Sequence, residues 1–184
     1  MRVIKDLKNL NIDKSWTLFL DRDGVINKRL VDDYVKNISE FEFLTGVPEA
    51  IKKFSDVFGR IFIVTNQRGI ARKIMTENDL ELVHGFMIDG INNSGGRIDK
   101  IYFCPHDRGE NCGCRKPEIG SALKAKQDFP EVDFKKSIMV GDTSSDIQFG
   151  KNAGMYAIKV TLKKNENDAE IFSVNSLSEF AEML

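Results

Sequence analysis

Four residues that can bind a metal ion lie close together in the sequence. Cys104, His106, Cys112 and Cys114 fall within eleven residues and include all 3 cysteines of the chain. A Cys-x-His-x5-Cys-x-Cys array supplies the sulfur and nitrogen ligands of a closed tetrahedral zinc site, with no position left for water. The spacing therefore predicts a structural zinc ion. The alternative is three free thiols and a surface histidine, which gives no reason for cysteine to be confined to one segment.

The predicted zinc loop continues directly into Arg115 and Lys116. A guanidinium and an ammonium on a rigid loop can bind an anion such as phosphate. The zinc ion is therefore predicted to support a phosphate site and to take no part in the chemistry. For Lys116 alone, a solvated surface charge is the alternative.

A second group of chemically capable residues is the Asp21-Arg22-Asp23-Gly24 segment. Two carboxylates at this spacing need a cation between them or must share a proton. Mg²⁺ is the natural cation because it prefers oxygen ligands and bridges carboxylates to phosphate. One carboxylate could then attack phosphorus while the other transfers protons. A tight turn or a calcium-type loop is the alternative for this segment alone.

Three further positions could complete a site for phosphoryl transfer. Thr65 offers a hydroxyl group, Asp142 a third carboxylate for Mg²⁺, and Asp146 a group that could orient a metal-bound water. For Thr65 the alternative is a helix or turn cap.

Apolar runs that alternate with amphipathic stretches determine where these residues lie. The pattern predicts strands over residues 16–20, 60–64, 98–103, 137–140 and 155–160. It predicts helices over residues 47–58, 76–95 and 117–129, a fourth that ends at Gly154 and a short last one that starts near Ser176. Residues 163–170 are predicted to form a loop. The fold class is therefore α/β, a Rossmann-like open parallel sheet with helices on both faces.

Asp21, Thr65, Cys104 and Asp142 each come just after a predicted strand. Ligands bind at the carboxyl edge of open parallel sheets, so we expect these residues to converge on one crevice.

Composition limits the partners of the protein. The 184 residues predict a single domain over 1–184, with 1–15 as an N-terminal extension. A formal net charge of −1 gives no overall attraction to nucleic acid or to a membrane surface. The sequence shows no signal peptide or membrane-spanning run, which predicts a cytoplasmic protein. We expect a monomer that acts on a small phosphorylated metabolite.

Four short segments resemble the motifs of the haloacid dehalogenase (HAD) superfamily of phosphatases, in the order that this family shows. They are residues 21–24 (Asp-Arg-Asp-Gly), 64–67 (Val-Thr-Asn-Gln), 115–117 (Arg-Lys-Pro) and 140–142 (Val-Gly-Asp). The cysteine-rich segment is similar to a capless, zinc-containing branch that includes heptose bisphosphate phosphatases and histidinol-phosphate phosphatases. The likeness extends from Leu18 to Gly154.

The resemblance implies a role for each matching residue and a magnesium-dependent phosphomonoesterase that acts through an aspartyl-phosphate. Asp21 would be the nucleophile and Asp23 the general acid and base. Thr65 and Lys116 would stabilise the phosphoryl group, and Asn66 and Arg115 would bind phosphate and substrate. The metal ligands that it implies are Asp21, Asp23 through its carbonyl and Asp142 for Mg²⁺, and Cys104, His106, Cys112 and Cys114 for Zn²⁺.

The choice of substrate is less direct. Residues 34–35, 41–44, 46–47 and 65–72 are more similar to the heptose bisphosphate enzymes, and they favour a 7-phosphatase of D-glycero-D-manno-heptose 1,7-bisphosphate. The short gap of five residues between His106 and Cys112 is more similar to the histidinol-phosphate phosphatases. Arg68, Lys73 and Thr143 depart from the family pattern, and the first two could meet a second phosphate or be solvated.

Two alternative functions remain, histidinol-phosphate phosphatase and a non-catalytic binding module. A zinc-stabilised, non-catalytic binding module would have no need of the Asp21 and Asp23 pair. A separate cap domain is not expected, because the segments after Gly24 and Asn66 have room for about one helix each. His84 is predicted to be a boundary or surface side chain without a nearby partner.

Overall fold

The computed structural model describes residue 4, residues 6–162 and residues 171–184. Its centre is a sheet of six strands, all parallel, in the order β3-β2-β1-β4-β5-β6. The strands are β1 (Thr17–Leu20), β2 (Arg60–Asn66), β3 (Lys100–Cys104), β4 (Ser137–Gly141), β5 (Tyr156–Val160) and β6 (Phe172–Val174). The predicted α/β class and parallel sheet are confirmed.

Helices cover both faces of the sheet because the central strands are apolar on both faces. The helices are α1 (Val47–Val57), α2 (Glu77–Asn93), α3 (Gly120–Asp128), α4 (Ser144–Ala153) and α5 (Leu177–Glu182). Leu18 and Leu20 of β1 pack in one core cluster with side chains of α1, α2 and α5. Phe19, between them, packs in the opposite cluster with side chains of α3 and α4. This alternation follows from the two-residue period of a strand.

One predicted helix boundary is wrong, and one strand was not predicted. The helix expected to start at Pro117 begins at Gly120. Residues 115–118 form a turn instead, in which the Lys116 N–H donates to Asn66 Oδ1 at 3.0 Å and the Glu118 N–H donates to the Arg115 carbonyl. Strand β6 was missed because three residues carry too little periodicity. The loop predicted over 163–170 lies outside the described residues.

The chain order creates a crevice beside β1. The sheet grows from β1 through β2 to β3 in one direction and through β4 to β6 in the other. Ligand sites of such sheets lie where the direction reverses, at the carboxyl ends of the strands. Asp21 and Asp142 follow the two strands that flank this point, β1 and β4.

The connections around the crevice are short, and the described residues show no separate cap domain. One α-helix lies between β1 and β2 and one between β2 and β3. Within the described part of the chain, none of the helices combines the length and apolar character needed to cross a membrane.

Candidate active site

Asp21 and Lys116 form a buried ion pair at the carboxyl end of β1. Lys116 Nζ lies 2.7 Å from Asp21 Oδ1 and 2.7 Å from Asp146 Oδ1. It also donates to the Val64 carbonyl at 2.6 Å. The side chain of Lys116 is 2% exposed, so its charge is compensated by the protein and not by water. The alternative of a solvated surface lysine is wrong.

The crowded charges shift the pKa values of this cluster. Burial and then the charge of Asp146 raise the pKa of Asp21 to about 7, against the opposing effect of Lys116. Burial alone would lower the pKa of Lys116, but the charges of Asp21 and Asp146 raise it above its usual value. Lys116 therefore remains charged between the two carboxylates.

Asp146 is held at this position from both sides. Its Oδ2 accepts from the N–H of Thr143 at 2.9 Å and from the Thr143 hydroxyl at 2.6 Å, at the start of α4. Burial would raise the pKa of Asp146, but the charge of Lys116 and these hydrogen bonds lower it. The sequence suggested that Asp146 could orient a metal-bound water. In the structure its carboxylate is the second counter-ion of Lys116 and accepts hydrogen bonds from Thr143.

Asp23 is fixed by three side chains that surround its carboxylate. Arg22 Nη2 donates to both oxygens, at 3.0 and 2.9 Å. Asn27 donates to Oδ1 at 3.0 Å and Gln67 to Oδ2 at 2.9 Å. Burial would raise the pKa of Asp23, but the charge of Arg22 and these hydrogen bonds lower it. Asp23 is therefore ionised in this position.

His84 takes part in the same network, contrary to the expectation of a side chain without a partner. Its Nε2 lies 3.1 Å from Arg22 Nη1, and the residue is buried on α2. Burial and the charge of Arg22 lower the pKa of His84 to about 3. A neutral imidazole can accept from the guanidinium, which explains how Arg22 is buried between Asp23 and His84.

Asp142 closes the acidic side of the crevice. Arg29 pairs with it, and Arg29 Nη2 also donates to the Asp23 carbonyl at 3.0 Å. Burial raises the pKa of Asp142 to about 6, against the charge of Arg29. The backbone at Gly24 approaches Asp142 so closely that a Cβ atom there would lie 2.2 Å from Oδ2, and its φ is +91°.

The cavity beside these carboxylates is lined by basic, acidic and hydroxyl side chains. It has a volume of about 250 Å³. Its lining includes Asp21, Asp23, Arg29, Thr65, Asn66, Arg108, Arg115, Lys116, Thr143 and Asp146. The structure thus brings the sequence-predicted residues Asp21, Asp23, Thr65, Asn66, Arg115 and Lys116 to one cavity, with Asp142 at its acidic side. Arg68 does not line it but pairs with Asp107, and the cavity lining does not include Lys73.

Hydrogen bonds fix the three phosphate-binding candidates, Asn66, Thr65 and Arg115. The Asn66 side chain donates to the Lys116 carbonyl at 3.2 Å and accepts from its N–H, which joins β2 to the turn at 115–118. The Thr65 hydroxyl accepts from Gln67 Nε2 at 2.8 Å. Arg115 Nη1 donates to the His106 carbonyl at 3.3 Å, so the guanidinium is tied to the cysteine-rich loop.

The four predicted zinc ligands come together in that loop. Their ligand atoms all lie within 4.8 Å of one another. Cys104 Sγ lies 3.5 Å from Cys112 Sγ and 3.6 Å from His106 Nδ1, and His106 Nδ1 lies 3.2 Å from Cys114 Sγ. A tetrahedral zinc ion with Zn–S of about 2.3 Å separates its ligand atoms by roughly 3.5–3.8 Å. Both the donor set and the spacing fit zinc.

The carboxylates fit a harder cation. Oxygen atoms of Asp21, Asp142 and Asp146 also lie within 4.8 Å of one another. An all-oxygen set of this kind suits Mg²⁺, which keeps positions open for water and phosphate. Lys116 and Thr143 contact both oxygens of Asp146, Lys116 also contacts Oδ1 of Asp21, and Arg29 pairs with both oxygens of Asp142. A cation at Asp21 and Asp142 would therefore compete with these cationic side chains for the carboxylate oxygens.

Several residues that contact the predicted site residues were not predicted from the sequence. Arg22, Asn27 and Gln67 surround Asp23, His84 contacts Arg22, and Arg29 pairs with Asp142. Arg22 and Gln67 lie inside the matching motifs, and this was the available signal. Nothing local marks Arg29 or His84, because their partners are distant in sequence.

Comparisons with known proteins agree with this geometry. A family model described as HAD-hydrolase-like matches residues 113–175. A D-glycero-alpha-D-manno-heptose-1,7-bisphosphate 7-phosphatase of Campylobacter jejuni is 44% identical over 156 residues, 84% of this chain and 88% of the relative. A D-glycero-beta-D-manno-heptose-1,7-bisphosphate 7-phosphatase of Helicobacter pylori is 37% identical over 78% of this chain and 81% of the relative.

A solved structure shows the same fold. The D,D-heptose 1,7-bisphosphate phosphatase of B. bronchiseptica, complexed with magnesium and phosphate, has a TM-score of 0.83 at 30% identity. The match covers 91% of this chain and 96% of that one. The chain belongs to the HAD-like hydrolases, as the motifs predicted. Within them, these heptose bisphosphate phosphatases are similar to it over most of its length.

Proposed function

We propose that this protein is a phosphatase that removes the 7-phosphate of a D-glycero-D-manno-heptose 1,7-bisphosphate. Relatives of that activity at about 40% identity over most of the chain support the substrate. Both alpha and beta forms are named among them, so the proposal extends to either anomer. The observation that carries the chemistry is the buried Asp21–Lys116 pair at 2.7 Å, which lines a cavity together with Arg108 and Arg115.

The residues divide the reaction between them. Asp21 attacks phosphorus and forms an aspartyl-phosphate, while Lys116, Thr65 and the Asn66 side chain stabilise the phosphoryl oxygens. Asp23 protonates the leaving oxygen and then deprotonates the water that hydrolyses the intermediate. The acid step requires Asp23 to take up a proton and weaken its contact with Arg22, because a carboxylate paired with a guanidinium is ionised. Arg115 binds the substrate.

Two metal ions complete the proposal. Asp21, the Asp23 carbonyl and Asp142 would hold Mg²⁺, which when bound supplies positive charge to the phosphate oxygens. Cys104, His106, Cys112 and Cys114 would hold a structural Zn²⁺ that keeps Arg115 and Lys116 in place. The related structure that contains magnesium and phosphate supports the first of these assignments.

We also propose that residues 1–184 act as one domain, as a monomer in the cytoplasm. The substrate would be a small metabolite, and no nucleic acid or membrane would be needed. The net charge of −1 and the reduced cysteines of the metal loop support this setting.

Phosphate release from a panel of substrates tests the proposal. The panel contains both anomers of the heptose 1,7-bisphosphate and histidinol phosphate, and kcat/KM ranks them. We expect a heptose bisphosphate to rank first, with activity that requires Mg²⁺ and is lost in Asp21→Asn. Asp56→Asn, an exposed carboxylate on α1, is the matched control. A higher kcat/KM for histidinol phosphate would reject the substrate, and full activity of Asp21→Asn would reject the mechanism.

A further inference from the structure

The acidic side of the cavity already contains a positive charge from the protein. Arg29 lies on the segment between β1 and α1, and its guanidinium reaches the carboxyl ends of two strands. Nη2 lies 3.0 Å from Asp142 Oδ1, and Nη1 lies 3.0 Å from Asp142 Oδ2. Nη2 also donates to the Asp23 carbonyl at 3.0 Å and lies 3.9 Å from Asp21 Oδ2.

These contacts coincide with the proposed magnesium ligands. Arg29 touches Asp142, the Asp23 carbonyl and Asp21, the three groups that would hold the cation. Mg²⁺ binds oxygen at about 2.1 Å with near-octahedral geometry, so a guanidinium on the same oxygens competes with the cation for their lone pairs and repels its charge. The arginine pairs with both oxygens of Asp142, so that carboxylate cannot keep this pair and bind the cation in the same way.

The exposure of the two partners shows which one can move. The Arg29 side chain is 43% exposed, whereas that of Asp142 is 19% and that of Asp21 is 7%. A long, solvent-facing arginine can turn into the open cavity at little cost. The carboxylates are confined at strand ends, and Gly24 packs against Asp142.

We propose that Arg29 competes with a divalent cation for Asp142 and the Asp23 carbonyl, and that the cation binds only when it displaces this guanidinium from both groups. The inference rests on the magnesium site of the proposed function. It makes Arg29 a residue that sets metal affinity, because cation binding must replace the ion pair between Arg29 and Asp142. A partly exposed pair of this kind weakens cation binding by about fivefold.

Calorimetric titration of Mg²⁺ into the full chain, with its zinc retained, tests the inference. Arg29→Met should bind Mg²⁺ about fivefold more tightly than the unchanged protein. Lys28→Met is the matched control: it removes the neighbouring charge, which pairs with Glu42 and does not contact the acidic cluster. Its Mg²⁺ affinity should change by less than about twofold. Equal affinities for Arg29→Met and the unchanged protein, or an equal gain in Lys28→Met, would overturn the inference.

Two measurements made without substrate distinguish the loss of the Arg29 contacts from a folding defect in the variant. In the absence of divalent cations, Arg29→Met should melt at a lower temperature than the unchanged protein, and Mg²⁺ should raise its melting temperature by more. In the unchanged protein, Mg²⁺ should speed the modification of Arg29 by phenylglyoxal, mapped by mass spectrometry. A modification rate unaffected by Mg²⁺ would contradict displacement. If no variant binds Mg²⁺, the proposed magnesium site fails as well, whereas equal binding by all removes only the role of Arg29.

Discussion

Lys116 brings one positive charge to two buried carboxylates, and its position defines the chemistry of the cavity. It lies 2.7 Å from an oxygen of both Asp21 and Asp146. We expect Lys116→Met to lower kcat by about 10²–10³-fold, because a preorganised donor to the phosphoryl oxygens is lost. Steady-state kinetics with a saturating heptose bisphosphate measures this change.

Lys124→Met is a suitable control for that substitution. Lys124 is 56% exposed on α3 and makes only surface contacts with Asp128 and Gln127. Its kcat should remain within about twofold of the unchanged protein. If Lys116→Met kept most of its activity while remaining folded, the role of Lys116 in stabilising the phosphoryl group would be wrong.

At Gly24, both the positive φ and the close approach of Asp142 disfavour a side chain. Its φ of +91° disfavours any other residue, and a Cβ atom would lie 2.2 Å from Asp142 Oδ2. Gly24→Ala should therefore displace Asp142, weaken Mg²⁺ binding and lower kcat/KM by about tenfold or more. Gly109→Ala, where a Cβ would meet no atom within 4 Å, should leave both unchanged. Similar Mg²⁺ affinities in the two variants would contradict this argument.

The sequence predicted many of the residues that face the cavity, but it missed Arg29, which also lines the cavity, and His84, which lies behind Arg22. Asp21, Thr65 and Asp142 could be found because a strand end fixes where a side chain points. Arg29 and His84 could not, since their partners lie 113 and 62 residues away along the chain. Their roles depend on packing that local spacing does not encode.

Helix α2 contributes one buried imidazole to the site, and this makes stability depend on pH. His84 has a pKa of about 3 in the folded protein, against an ordinary value of 6.5, because of burial and the charge of Arg22. As the pH falls below about 6.5, the unfolded chain binds a proton that the folded protein does not, so stability decreases. The contribution of His84 approaches about 1.4 kcal/mol per pH unit.

His84→Gln tests this dependence, because an amide oxygen can still accept from Arg22 but does not titrate. Urea unfolding at pH values between about 7 and 5 should show a smaller loss of stability for the variant than for the unchanged protein. Identical pH profiles would mean that His84 is not buried as a neutral imidazole.

The cysteine-rich loop is the element that positions Arg115 and Lys116. Cys112→Ser should reduce zinc content and raise KM, because Arg115 bonds to the His106 carbonyl within this loop. A fall in kcat/KM of about tenfold or more is expected. Metal analysis and kinetics measure both effects.

Glu110→Gln is the matched control in the same loop. Glu110 lies outside the ligand set, and its Oε1 accepts from the Asp107 N–H, a bond that glutamine can keep. It should retain zinc and activity. Full activity of a zinc-depleted Cys112→Ser protein would show that the loop does not need the metal to position Arg115 and Lys116.

Element boundaries were predictable where a local signal determines them. Thr76 and Asp79 predicted the start of α2, and both members of this capping box are present. The start of α3 was wrong because hydrogen bonds from Asn66, on β2, hold residues 115–118 in a turn. Pro117 is compatible with a first helical turn, but the contacts with Asn66 keep this segment out of the helix.

The whole molecule is a sheet covered on both faces, and the two ends of the described chain meet on one of them. The cluster that contains Leu18 and Leu20 also includes Ile4 and Leu7 near the N-terminus and Phe180 in α5. Alternating runs in the sequence predicted the layers, because strands apolar on both faces need helices on both sides. Which helix covers which face depends on chain direction and on packing, and the sequence did not indicate it.

The position of α5 gives a test of the proposal that the chain folds as one domain. Phe180 is fully buried and packs against Phe54 and Phe58 of the α1 region, with ring centroids 5.0 and 6.5 Å apart. Phe180→Ala should lower the free energy of unfolding by about 3–5 kcal/mol through the cavity it leaves. Met183→Ala, 38% exposed at the same end of the chain, should change it by less than about 0.5 kcal/mol.

The fluorescence of Trp16 and circular dichroism together show whether this loss reaches the whole chain. Trp16 is buried beside Tyr156, next to β1 at the opposite end of the sequence from α5. If residues 1–184 form one cooperative unit, both signals should shift to the same lower denaturant midpoint in Phe180→Ala. A Trp16 transition that stays in place while the circular dichroism transition shifts would mean that α5 unfolds separately. The single-domain proposal would then fail, but the Asp21–Lys116 site would not, because it is built from β1 and the metal loop.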